Sequence, residues 1–171
     1  MTEEVKQEAA EPKAEEAKTG AASDAKNILA QLEAILDEYM VTKAPFTIPA
    51  NGKELIVKIV PYLLILSAII AVPVILAGIG LSAFLAPFAM LAGHVGIAAF
   101  ISLIFAAISL VIDIMAIPGL FGRTKKGWRL TYYATVVSLV GNVLSFNIIG
   151  GIIGAIIGWF ILFQVKDKYV N

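Results

Sequence analysis

The twelve residues PGLFGRTKKGWR, from Pro118 to Arg129, decide how this chain is read. They hold four cations, Arg123, Lys125, Lys126 and Arg129, and a long apolar run lies on either side of them. Before them, Val95 to Ile117 contains one charge, Asp113; after them, Leu130 to Phe163 contains none. A helix needs about 20 apolar residues to cross a bilayer. The first run therefore makes one span. The second is too long for one and is divided near Asn147 and Gly150-Gly151, which predicts two short helices joined by a tight turn. The basic stretch is then the hinge between two membrane hairpins.

Working outward, Val60 to Gly78 is a further uncharged run of spanning length, with Pro61 at its start and Pro73 inside. The fold class that results is all-α: a polytopic membrane protein with four transmembrane helices in two hairpins. The spans are expected at about 60–78, 95–117, 130–147 and 149–163, within a membrane domain covering 60–163. The stretch from Gly80 to Gly93, GLSAFLAPFAMLAG, is short and interrupted by Pro87. It reads as an interfacial or re-entrant loop, or as a plain connection carrying Phe84 and Phe88.

Composition agrees with the membrane class, because 59% hydrophobic residues exceed the roughly 45–50% of soluble domains. There is no cysteine, so disulfides, thiolate metal sites and cysteine nucleophiles are excluded together. The net charge of zero conceals a division. Residues 1–42 carry ten acids against four lysines, a balance of −6, and residues 43–171 carry nine bases against three acids, a balance of +6.

The front of the chain supplies the acids. Residues 1–24 are Glu, Ala and Lys with little apolar surface, and are expected to be disordered. They show neither a basic n-region nor an apolar h-region, so no secretory signal is expected and insertion falls to the first span. From 25 to 41, Ile28, Leu29, Leu32, Ile35, Leu36, Tyr39 and Met40 recur at three- and four-residue steps, which predicts a cytoplasmic amphipathic helix capped by Ser23 or Asp24. In-plane membrane helices usually carry Lys and Arg on the polar face. This one carries Glu33, Asp37 and Glu38. Docking of the apolar face on a protein surface, the chain's own or a partner's, is the reading it favours. Residues 42–59, with Pro45, Pro49, Asn51-Gly52, Lys53, Glu54 and Lys58, form a connector and interfacial segment, and 164–171 a C-terminal tail.

Loop charge sets the orientation. The hinge has four cations and the outer segments have none, which places both termini in the cytoplasm. Trp128, Tyr132, Tyr133 and Tyr169 fall where an inner aromatic belt would lie.

Few residues offer chemistry. Gly150, Gly154 and Gly158, with Gly151 and Ala155 beside them, make a stripe of small residues on one helix, suited to packing against the chain's own helices or against a second copy. Asn142, Ser145 and Asn147 gather near the outer end of the third span, either as interhelical and turn hydrogen bonds or as a polar lining. Asp113 is the one intramembrane acid, read as a partner of Arg123 or Arg129, as a hydrated group, or as a proton carrier. Arg123, Lys125, Lys126 and Arg129 fix topology and attract anionic headgroups at ~1 kcal/mol per charge. The acidic front would compete with lipid for that basic body in a salt-sensitive way. His94 is the sole histidine, and no metal site, phosphate loop or catalytic triad is present, so neither catalytic residues nor cofactors are expected. Nothing points to nucleic acid.

The hinge PGLFGRTKKGWRLTYY, the end GWFILFQVKDKY and the connector Lys43-Ala44-Pro45-Phe46 resemble a family of small four-span bacterial membrane proteins, notably from candidate-phylum genomes, with no established activity. The resemblance covers about residues 28–169. It implies an amphipathic front helix before four spans, in a bacterial cytoplasmic membrane. The functional expectation is a non-enzymatic membrane scaffold or adaptor, with a small oligomeric channel or transporter as the alternative.

Overall fold

A computed structural model describes residues 11–89 and 93–171, and all regular structure among them is helical. The chain divides into two compact units, Met1–Lys43 and Ala44–Asn171.

The first unit is the helix α1, Glu11–Asp37, continued by a wider π-helical turn, Glu38–Thr42. The expected disorder of residues 1–24 and the expected cap at Ser23 or Asp24 are corrected here, since α1 runs through 11–24 without a break. Residues 1–10 lie outside the described residues. The physical reason is propensity: Ala, Glu and Lys are strong helix formers, and Pro12 sits in the first turn, where its missing N–H costs nothing. The apolar face is only partly covered. Ile28, Ile35 and Tyr39 are more than half exposed, whereas Leu36 is buried. Lys43 closes the unit, with its ammonium 2.7 Å from Glu38 Oε1 and 4.8 Å above the Tyr39 ring.

The second unit contains α2 (Ala50–Ala89), α3 (His94–Phe121), α4 (Lys125–Leu144) and α5 (Ile148–Gln164), then one 3-10 turn, Lys166–Lys168. Each helix packs on the next in sequence, most extensively α3 on α4. Two helices, over Ala50–Leu85 and Gly96–Phe121, are long and apolar enough to cross a membrane by length and composition, and their apolar windows are almost wholly exposed. α5 is apolar but shorter.

Three boundaries differ from expectation. α2 starts at Ala50, so Asn51-Gly52 opens a helix rather than forming a turn, and Lys53 N donates to Pro49 O at 3.0 Å. α2 then continues through Pro61, Pro73 and Pro87 to Ala89, so the expected outer loop from Gly80 to Gly93 is helical over most of its length. Each proline removes one helical hydrogen bond, which a long apolar helix tolerates. Residues 90–92 lie outside the described residues. The hinge, finally, is far tighter than twelve residues. Pro118 belongs to α3 and Lys125 to α4, leaving Gly122, Arg123 and Thr124 to reverse the chain.

Candidate functional site

The side chains with chemistry gather in two places, the hinge end of the bundle and a polar seam between α3 and α4. At the hinge, Arg123 adopts a left-handed backbone conformation, φ 52°, and Thr124 follows in extended geometry as the cap of α4. Thr124 Oγ1 accepts from Gly127 N at 3.1 Å and donates to Gly119 O at 3.1 Å, so one hydroxyl joins both helix ends. Gly119 and Gly127 let the two backbones touch. A Cβ on Gly127 would stand 2.6 Å from Leu120 N and 2.8 Å from Gly119 Cα.

Other segments converge on this turn. Arg123 makes a two-pronged ion pair with Glu54, its Nη1 standing 3.3 Å from Glu54 Oε2 and its Nη2 bonding Oε1. That hydrogen bond pushes the guanidinium further up, away from losing its proton. Lys53 stands 3.5 Å from Asp167. Asn171 pairs along the backbone with Lys125 and Arg123, and Ile48 N donates to the buried Gln164 Oε1 at 3.2 Å. Trp128 donates its indole N–H to Leu162 O at 2.8 Å, stacks on Tyr132 and meets Phe163 edge-on. Lys166 lies 5.0 Å above the Trp128 ring. Burial pushes the Tyr169 phenol up, against a smaller opposite pull from Arg123.

This arrangement separates the four hinge cations. Arg123 is occupied by Glu54, whereas Lys125, Lys126 and Arg129 are exposed, with side chains that make no ion pair to a described residue. Three cations therefore stand exposed on the N-terminal turns of α4.

The seam begins at Asp113. Its expected ion pair with Arg123 or Arg129 does not form, and no hydrogen bond or ion pair joins it to a described residue. The cause is depth: eight residues separate Asp113 from Phe121, a rise of about 12 Å along the helix, and Glu54 lies nearer the hinge. One turn further along α3, the buried Ser109 donates to Ala134 O at 3.2 Å and accepts from Ser138 Oγ at 3.0 Å. Asn142 Nδ2 donates to Ser138 O at 2.8 Å, and Asn147 Nδ2 to Asn142 Oδ1 at 2.8 Å. Ser145 Oγ turns back to Gly141 O at 2.6 Å. Asn142, Ser145 and Asn147 thus form local and turn hydrogen bonds. Ser109 and Ser138, which the sequence reading did not single out, supply the link between helices.

The small-residue stripe divides as well. Gly151 and Ala155 are buried, and a Cβ on Gly151 would stand 2.5 Å from Asn142 Cβ. Gly158 meets Thr135 at an ordinary 3.7 Å, a Cβ on Gly150 would meet only the side chain of Asn147, and one on Gly154 would meet nothing within 4 Å. Packing within the chain therefore uses Gly151 and Ala155, and leaves Gly154 open. Gly151→Leu is expected to cost roughly 1–3 kcal/mol in detergent unfolding. Gly154→Leu is expected not to lower the unfolding midpoint of the single copy, and to raise it by up to ~1 kcal/mol through helix propensity. Equal losses in the two variants would contradict this division.

Trp159 is buried and its indole N–H finds no acceptor among the described residues. Among those residues no group of His, Asp and Glu side chains is placed to hold a metal ion. No protein-family model, curated protein or solved structure matches the chain.

Proposed function

We propose that this chain is a non-enzymatic scaffold or adaptor of a bacterial cytoplasmic membrane, in which α2 to α5 cross the bilayer as two hairpins and the front helix meets a protein partner in the cytoplasm. One observation carries the reading. Every lysine and arginine of residues 44–171 sits at the end of the bundle that holds the hinge, while the far end of α2 over 79–89 and the turn at 145–147 have none. The helix faces between carry exposed Leu66, Ile69, Ile104, Val111, Ile153 and Ile157. Such faces are stable in lipid, and the charge asymmetry supports an inner side for the hinge and both termini. α1 then presents Ile28, Ile35 and Tyr39 to the cytoplasm beside an acidic polar face.

The absence of cysteine makes the topology testable with single substitutions. In intact cells, Phe146→Cys is expected to react with a membrane-impermeant maleimide, and Lys126→Cys only after permeabilisation. Labelling of both from one side would sink the four-span reading. The adaptor role is tested by a photo-crosslinker in place of Ile35, on the apolar face, or of the exposed Ala34, on the opposite one. Adducts from Ile35 alone support it, and adducts from neither position overturn it.

The second reading, a channel or transporter of several copies, is favoured by the Ser109–Ser138 link and the Asn142–Asn147 pair. The open Gly154 face would then meet a second copy, and solute flux in proteoliposomes lost in Gly154→Leu would choose this reading over the first.

A further inference from the structure

Two pairs of polar residues, each one helical turn apart, flank the most extensive helix contact of the bundle and meet there through Ser109 and Ser138. Ser109 and Asp113 lie at i and i+4 on α3, and Ser138 and Asn142 lie at i and i+4 on α4, so each pair shares one face of its helix. The register is fixed on both sides: a Cβ on Gly141 would stand 2.8 Å from Phe105 Cγ, and Gly127 meets Gly119. Asp113 therefore continues the line drawn by Asn147, Asn142, Ser138 and Ser109.

An acid inside a span is accommodated by a cation beside it, by water, or by a proton. No cation is beside it among the described residues, since Arg123 holds Glu54 and Arg129 is exposed. The elements packed on α3 offer no other charge at this depth. On α2 the titratable groups are Lys53, Glu54, Lys58 and Tyr62, and on α4 they are Lys125, Lys126, Arg129, Tyr132 and Tyr133. Of these, Tyr132 and Tyr133 come nearest to the level of Asp113 in the α3–α4 register, and neither bonds to it. Tyr62 packs on Phe121 at the hinge end. The neighbour one turn away is a hydroxyl, and hydroxyls both donate and accept.

We propose that Asp113 is a reversible proton-binding group inside the membrane domain, reached from the outer turn along Asn147, Asn142, Ser138 and Ser109. The step is a proton transfer alone: the carboxylate takes a proton from a hydronium ion, leaving water, and returns it by the same route. The serine hydroxyls pass hydrogen-bond order along the seam, and the two amides hold its outer mouth polar. The proposal rests on the membrane reading above and adds to it a ligand, the proton.

Infrared difference spectroscopy of the full chain in lipid nanodiscs tests it. Subtracting Asp113→Asn from the wild type isolates one carboxyl from the acidic front of the chain. The expected result is a carboxylic-acid C=O band that disappears and returns reversibly with pH, and that shifts in frequency in Ser109→Ala. Ser138→Ala is expected to slow its exchange in heavy water severalfold. A carboxylate band at every pH, or an acid band that never titrates, would overturn the proposal. So would unchanged exchange in Ser138→Ala together with an unshifted band in Ser109→Ala. Failure of the chain to enter nanodiscs would instead overturn the membrane reading, which keeps the two apart. Asp113→Glu, which keeps the acid, guards against loss of fold in the asparagine variant by restoring the titrating band.

Discussion

Gly127→Ala is expected to lower the stability of the membrane unit by about 3 kcal/mol or more, read as a fall in the unfolding midpoint in detergent micelles. The sign is what makes the experiment decisive. Replacing an open helical glycine by alanine ordinarily stabilises by ~1 kcal/mol, through helix propensity. Gly127 is buried on the first turn of α4, and the added methyl would collide with the main chain of Gly119 and Leu120, with 2.6 Å to Leu120 N. Backbone cannot rotate away as a long side chain does, so the helix ends must separate, and overpacking of this kind costs ~1–3 kcal/mol even where side chains give way. Separation also withdraws Gly119 O, which accepts from both Thr124 N at 2.8 Å and Thr124 Oγ1 at 3.1 Å. The cap of α4 is thus lost with the contact. Gly122→Ala is the control, because its new methyl would meet Thr124 Cγ2 at 3.4 Å and nothing closer. A Gly127→Ala protein as stable as Gly122→Ala would refute the close approach of the two backbones.

Period and length made the helices legible, whereas boundaries depended on contacts the sequence hides. The all-helical class and the apolar helices over 95–117 and 149–163 follow from long apolar runs with at most one charge, whose backbone groups a helix satisfies within the run itself. The stretch from Gly80 to Ala89 was misread because its glycine and proline look like breakers. In α2 a proline costs only local hydrogen bonds, and glycine permits contact, as Gly78 does by letting Leu103 approach. The tail at 11–24 was misread for the opposite reason. Its residues offer little apolar surface for a core, yet Ala, Glu and Lys favour a helix by propensity.

The candidate site was half legible. Charge counting located Arg123, Lys125, Lys126 and Arg129, yet it could not tell that Arg123 is held by Glu54, sixty-nine residues earlier in the chain. The glycine stripe stands out through its spacing and holds one of the tightest approaches, at Gly151, while the two tighter ones, at Gly141 and Gly127, lie outside it. An isolated glycine in an apolar helix is itself a signal of close packing, and Gly141 fits that description. In the sequence Ser109 and Ser138 read as ordinary hydroxyls. Their signal lay in pairing, because each stands four residues before a more polar side chain, Asp113 and Asn142, on helices joined by a short hinge.

Trp128→Ala is expected to cost about 3–5 kcal/mol, the range for emptying a large aromatic site in a packed core. Trp128 is 2% exposed and closes the hinge end from α4 toward α5. Its indole N–H holds Leu162 O at 2.8 Å, its ring is stacked on Tyr132 at 6.0 Å, and Phe163 meets it in a T-shaped contact at 5.1 Å between ring centres. Lys166 covers the same ring, so the cavity would also release a cation that the aromatic surface holds. Two effects contribute, and a second variant separates them. Trp128→Phe keeps most of the apolar contact but leaves Leu162 O without its donor, and the net worth of one such bond is ~0.5–1.5 kcal/mol. The expected order of unfolding midpoints is therefore wild type above Trp128→Phe above Trp128→Ala, with the larger step between the last two. Because α5 contacts α4 through this end and through Gly151 and Gly158, the alanine variant should release α5 first. Protease cleavage or hydrogen exchange should then rise over residues 148–164 before it rises over α3. Uniform exposure of all helices would mean that the ring supports the whole bundle instead of the α4–α5 hairpin.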